Sequence, residues 1–175
     1  MEIQADVTLP FPRERVYAAY RDRLTDLVEF LPNIKAIRQL EREERPGEVK
    51  ILNEWTGGGD IPAALKAFID ESMLKWLDHA TWREAASITD WRVEVKAFND
   101  AIRSSGTNRF LEVPGGTKLE IRGDLTCDAS RIPAVPRLAA RMINGTVEKL
   151  FVGKIQVNLV EVAKGVGKLL EREGS

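Results

Sequence analysis

The chain is 175 residues long, with 43% hydrophobic and 30% charged residues, a composition that suits a globular core and neither a disordered nor a fibrous chain. Its formal net charge of -1, from 26 basic and 27 acidic residues, supplies no broad attraction for nucleic acid. One cysteine, Cys127, and one histidine, His79, make an intrachain disulfide and a dedicated metal site unexpected, and no apolar run approaches the roughly 20 residues that span a bilayer.

The opening MEIQADVTLP has neither a basic stretch nor an apolar one, so a cytoplasmic location is expected. Residues 2–8 alternate Ile3, Ala5 and Val7 with Glu2, Gln4 and Asp6, the period of a strand with one buried face. Pro10, Phe11 and Pro12 stop it. Pro12 then suits the start of a helix on which Val16, Tyr17, Tyr20, Leu24, Leu27 and Leu31 recur at helical spacing, as far as Pro32 and Asn33. Arg45, Pro46 and Gly47 separate a strand over 34–44 from one over 48–56, whose Val49, Ile51, Asn53 and Trp55 share a face.

Gly57, Gly58 and Gly59 lack the Lys-Ser/Thr of a phosphate loop and read as a hinge, because glycine tolerates many backbone conformations. Ile61, Leu65 and Phe68 follow at helical spacing. They form either a short core-packing helix or a lid able to touch a membrane transiently. Leu74, Trp76, Ala80 and Trp82 indicate a further strand, and Trp91, Val93 and Val95 its neighbour across a turn near 85–89. His79 alternates with these inward positions and reads as an outward, structural residue. Strands over 103–113 and 117–127, joined at Pro114, Gly115 and Gly116, bring the total to about seven, with Leu119, Ile121, Leu125 and Cys127 on one face. Cys127 reads as a buried small hydrophobe.

After Pro133 and Pro136, residues 137–170 read as one long helix. Val147, Phe151, Ile155, Val162, Val166 and Leu169 fall on one face, Asn158 interrupts it, and Lys154 flanks it. The glycosylation sequon at Asn144 lies inside this helix and is set aside. An amide in an apolar stripe costs about 1–3 kcal/mol unless bonded. A ligand, a strand, a water or Asn53 would each satisfy Asn158.

A curved sheet cannot follow a straight helix along its whole length, so the space between them is either filled by large side chains or left as an apolar pocket with a few polar groups. Candidate wall residues are Asn53, Trp55, Trp76, Trp91, Val93, Phe110, Ile121, Phe151, Ile155, Asn158 and Val162; candidate mouth residues are Gly57, Gly58, Gly59, Ile61, Leu65 and Phe68. No catalytic residue is assigned, since a single histidine would have to serve every nucleophilic arrangement.

Pro12, Val16, Tyr17, Tyr20 and Asp22 directly after the first strand, with Leu31, Pro32 and Ile34 opening the second, resemble the SRPBCC or START-like superfamily. Trp76, Trp82, Trp91, the Pro114-Gly115-Gly116 hairpin and the long last helix resemble its polyketide cyclase/dehydrase and lipid-transport branch across essentially the whole chain. The resemblance implies an α+β helix-grip fold in a single domain over 1–175: a curved antiparallel sheet of about seven strands around a long C-terminal helix, enclosing a ligand cavity. It does not choose one activity. The expected role is binding or transport of a small hydrophobic molecule, lipid-like, polyketide or aromatic, without a cofactor, a metal or a nucleic acid. Nothing in the sequence sets an oligomeric state. Two alternatives stand beside it: a cyclase or dehydratase in which Asn158, Lys154, Asn53 or Tyr20 polarises a carbonyl, and an interaction module with a filled core.

Overall fold

The computed structural model describes residues 1–58, 74–98, 101–132, 135 and 137–174. Strand β1 (Glu2–Leu9) leads into helix α1 (Arg13–Asp22) and a 3-10 helix (Leu24–Phe30). Strands β2 (Ile34–Arg45), β3 (Glu48–Gly57), β4 (Lys75–Arg83), β5 (Ile88–Glu94), β6 (Ile102–Val113) and β7 (Gly116–Cys127) follow, and helix α2 (Arg137–Glu173) closes the chain. All seven strands pair antiparallel in the order β1-β7-β6-β5-β4-β3-β2. Because β1 sits at the far edge beside β7, α1 and the 3-10 helix must carry the chain across the sheet to β2 at the other edge.

The predicted single helix up to Leu31 divides in two. Arg23, at φ -119 and ψ 20, lies outside the helical region, and the chain continues as the 3-10 helix. Leu24, Leu27 and Phe30 are spaced every three residues, which matches the 3.0-residue turn of a 3-10 helix and brings Leu24 and Leu27 onto the core. The tight hairpins between β2 and β3 and between β6 and β7 have Gly47 at φ 77 and Gly115 at φ 83, a region that costs a side chain its Cβ clearance.

Alternation buries one face of the sheet. On β3, Val49, Ile51, Asn53, Trp55 and Gly57 point inward; on β7, Thr117, Leu119, Ile121 and Leu125 do so. The other half of edge strand β2, with Glu41, Arg42, Glu43, Glu44 and Arg45, is exposed on both faces, and these charges protect the open edge from pairing with another chain. Helix α2 buries Val162, Ala163, Val166, Leu169 and Leu170 and leaves Lys149, Lys164 and Lys168 in solvent. Its Gln156 donates to the Gln4 carbonyl of β1 at 3.2 Å, and its Asn144 accepts from the Ala129 N–H at 2.8 Å. No helix among the described residues is long and apolar enough to cross a membrane.

Two single-residue readings change or gain detail. Cys127, the last residue of β7, is half-buried rather than buried. His79 lies on the outer face with its Nε2 3.2 Å from a Glu94 carboxylate oxygen, well away from the interior.

Candidate functional site

A cavity of about 150 Å³ lies between the inner face of β3, β4, β5 and β6 and the two helices. Helix α1 contributes Tyr20 and Arg21, and α2 contributes Ile155, Asn158, Leu159 and Val162. The sheet supplies Asn53, Trp55, Trp76, Asp78, Trp82, Trp91 and Val93 among others. At one end, Asn33, Gly57, Gly58 and Lys75 border the void, and Lys75 is exposed. Of the predicted wall and mouth residues, Asn53, Trp55, Trp76, Trp91, Val93, Ile155, Asn158, Val162, Gly57 and Gly58 thus border one void.

Phe110 and Ile121 share the inward parity but not the position. Phe110 is 2% exposed and packs edge-on against Tyr17 at 5.1 Å and Tyr20 at 5.9 Å, with Trp82 at 6.0 Å, beneath α1. Ile121 is fully buried on β7, beyond the strands that form the wall. Both belong to packed core rather than to the cavity. Gly59, Ile61, Leu65 and Phe68, and the side chains of Phe151 and Lys154, lie outside the described residues.

Some polar groups of the cavity are linked and others stand unbonded. The Trp91 Nε1–H donates to Asn108 Oδ1 at 2.9 Å, which leaves the Asn108 amide nitrogen to face the Tyr20 hydroxyl. Burial raises the Tyr20 hydroxyl far above the usual phenol range, and the nearby Asp78 raises it further. Asp78 projects inward because β4 alternates Trp76, Asp78, Ala80 and Trp82 toward the void. Burial pushes its carboxyl up to about 6, against the opposing pull of Asn53 and Trp55. The Trp55 indole N–H lies near enough to favour the carboxylate without reaching hydrogen-bond geometry. The hydroxyls of Thr89 and Ser104 are also buried with no hydrogen-bond partner among the described residues.

Sequence reasoning singled out Tyr20, Asn53 and Asn158 but passed over Asp78, Thr89, Ser104 and Asn108. Asp78 carried a signal: it has the same parity as Trp76, Ala80 and Trp82, so a charge stood in an apolar face. Asn53 turns toward Asp78 rather than toward Asn158, whose amide faces the void without a protein partner among the described residues. The Asn108 contacts yield a prediction. Asn108→Leu is expected to strand the Trp91 N–H in the core and destabilise the fold by about 1–3 kcal/mol, measured by urea unfolding. A stability equal to wild type would show that the bond contributes nothing.

No protein-family model and no curated protein matches the chain by sequence. Solved structures do match it. The protein TTHA0849 from Thermus thermophilus superposes with a TM-score of 0.71 at 21% identity, over 100% of both chains. The Zhui aromatase/cyclase from a Streptomyces species gives a TM-score of 0.63 at 18% identity, over 100% of this chain and 96% of that one. The chain has the START-like helix-grip fold. Ara h 8.0201 shares it at a TM-score of 0.58 and 14% identity, over 98% of each chain. At these identities the likeness concerns the path of the backbone, and the chemistry has to be read from the cavity itself.

Proposed function

We propose that the chain works as a single START-like ligand-binding domain whose cavity takes up a small hydrophobic molecule with one polar end. The observation that carries this reading is an apolar void whose wall holds buried polar atoms with no partner among the described residues: Trp55 Nε1, Thr89 Oγ1 and Ser104 Oγ. Buried donors and hydroxyls left unbonded cost free energy that an occupant can recover, while the tryptophans and aliphatic residues hide its apolar body. A volume of about 150 Å³ suits a single aromatic ring, since an apolar protein cavity of that size takes up benzene. A longer molecule would extend past Gly57, Gly58 and Lys75. The void also weighs against the filled-core interaction module, and an aromatase/cyclase among the fold neighbours is compatible with a cavity in use.

Native mass spectrometry of protein purified from cells tests the reading together with a cavity-filling variant. Ala80 is 6% exposed on the cavity wall, and Ala80→Leu extends a branched side chain into the void. The expected result is retention of a small apolar molecule, or heat stabilisation by benzene-sized aromatics, with at least about a tenfold loss of affinity in Ala80→Leu. Equal binding by wild type and variant would place any bound molecule elsewhere and overturn the proposal.

One observation favours a second reading, an enzyme of the cyclase type. The Asp78 carboxyl, raised to about 6 near the Tyr20 hydroxyl, exchanges protons near neutral pH and is able to donate to a substrate carbonyl inside the cavity. Asp78→Asn is then expected to slow turnover of a linear β-polyketone about a hundredfold. Unchanged turnover would remove Asp78 from such a mechanism.

A further inference from the structure

The polar end of the occupant is decided by the charge it must meet. On the inner face of the sheet, Asn53 of β3 and Val93 of β5 lie directly across from Asp78, and Trp76 and Ala80 flank it along β4. Trp55 lies diagonally across on β3, so Trp55 and Trp76 are the indoles beside this carboxylate, while the Trp91 ring runs the other way over Gly106 and Gly123. Trp55 and Trp76 stack at 5.8 Å between centroids, 13° apart. Among the described residues Asp78 has no ion-pair partner. Of the two cations among the described residues that border the cavity, Arg21 is held by Asp22 at 2.9 Å and Glu84 at 2.7 Å, and Lys75 is exposed.

A half-buried carboxylate that borders an apolar void, with no counter-ion among the described residues, is half of an ion pair. An anionic occupant would be repelled by it, and a neutral one would leave the charge uncompensated. A cation answers both the carboxylate and the faces of the indoles, whose quadrupoles attract positive charge. An ammonium has three N–H donors, and Ser104, which follows Asp78 and Val93 in the same cross-strand row, offers an unpartnered hydroxyl to one of them. Resting on the reading of the cavity as a binding site, we infer that its ligand is a small aromatic amine whose ammonium group pairs with Asp78 beside Trp55 and Trp76.

Benzylamine, protonated at neutral pH, and ethylbenzene, its uncharged analogue of similar shape, separate this inference from the one it rests on. Both are titrated into the full chain at pH 7.5 and followed by amide NMR shifts, for wild type and for Asp78→Asn. Wild type is expected to bind benzylamine at least about tenfold more tightly than ethylbenzene, and Asp78→Asn to abolish or invert that preference. Ethylbenzene binding as tightly as benzylamine to wild type would overturn the amine assignment while leaving the apolar cavity standing. Benzylamine retained at full affinity by Asp78→Asn would overturn it as well. If neither compound binds wild type, the ring-sized ligand site and the amine assignment fall together.

Discussion

Asp78→Asn is expected to make the empty protein more stable at neutral pH, by about 2 kcal/mol, and the gain should vanish in acid. The folded carboxyl is raised from 3.8 to about 6, mainly by burial, so the fold holds its proton more tightly than the unfolded chain does. A group shifted this way contributes fully to stability below its unfolded value, and that contribution is lost as the pH rises through the folded one. Ionising it would cost about 3 kcal/mol for a shift of this size, and water entering the cavity reduces the cost to about 2. Asparagine keeps the shape and removes the charge. Asp22 and Asp90 act in the opposite sense: Arg21 and Arg42 hold the first below the usual carboxylate range, Thr107 and Arg83 the second, despite some burial of each, so both lose stability as the pH falls. Subtracting the urea-unfolding free energies of wild type and variant cancels those contributions. The difference should grow from near zero at pH 4 to its full value by pH 7.5. A difference that is constant with pH, or a variant weaker than wild type at pH 7.5, would mean that Asp78 is not an uncompensated buried charge, and the amine proposal would lose its basis.

Gly106→Ala is expected to cost about 3 kcal/mol, or roughly 10 °C in Tm for a chain of this size. Trp91, Gly106 and Gly123 stand in one cross-strand row over β5, β6 and β7. The two glycines let the Trp91 indole lie flat on the sheet, which is how its N–H reaches Asn108 and its ring forms cavity wall. A Cβ on Gly106 would fall 2.5 Å from the Trp91 ring and 2.3 Å from the Arg122 carbonyl oxygen, and the second contact is with backbone that cannot swing away. Gly145→Ala is the control. Nothing lies within 4 Å of a Cβ added there in α2, and alanine is the better helix former, so the melting temperature should stay level or rise. Thermal melts followed by tryptophan fluorescence check both. A Gly106→Ala protein that melts with wild type and keeps the Trp91 signal would show that the indole does not depend on the bare backbone beneath it.

The order of elements was legible in the chain because it rests on local rules. Alternation marks Val49, Ile51, Asn53 and Trp55 as one face of β3 whatever they pack against, and the glycines of the Pro-Gly hairpins mark the turns. The same rule gave the face of Phe110 and Ile121 without giving their place along the sheet. One end of the inner face is filled beneath α1 by the aromatic contacts of Tyr17 and Phe110 with Tyr20 and Trp82, and the void begins where Tyr20 and Trp82 end that cluster. The division of the first helix escaped for a related reason, since leucines three and four residues apart fit both helix types until the packing chooses.

Local pattern alone therefore determined a seven-stranded sheet, a long closing helix and an apolar interior with Asn53, Asn158 and the tryptophans turned into it, because side-chain direction follows from strand and helix period. Assembly of distant segments decided the rest: that a gap of about 150 Å³ survives, that Asn108 joins Trp91 to Tyr20, and that Asp78 stands beside Trp55 and Trp76 with no cation paired to it among the described residues. Whether a carboxylate is paired depends on which residues of other strands and helices come within a few ångströms, and the period of one strand carries no record of that distance.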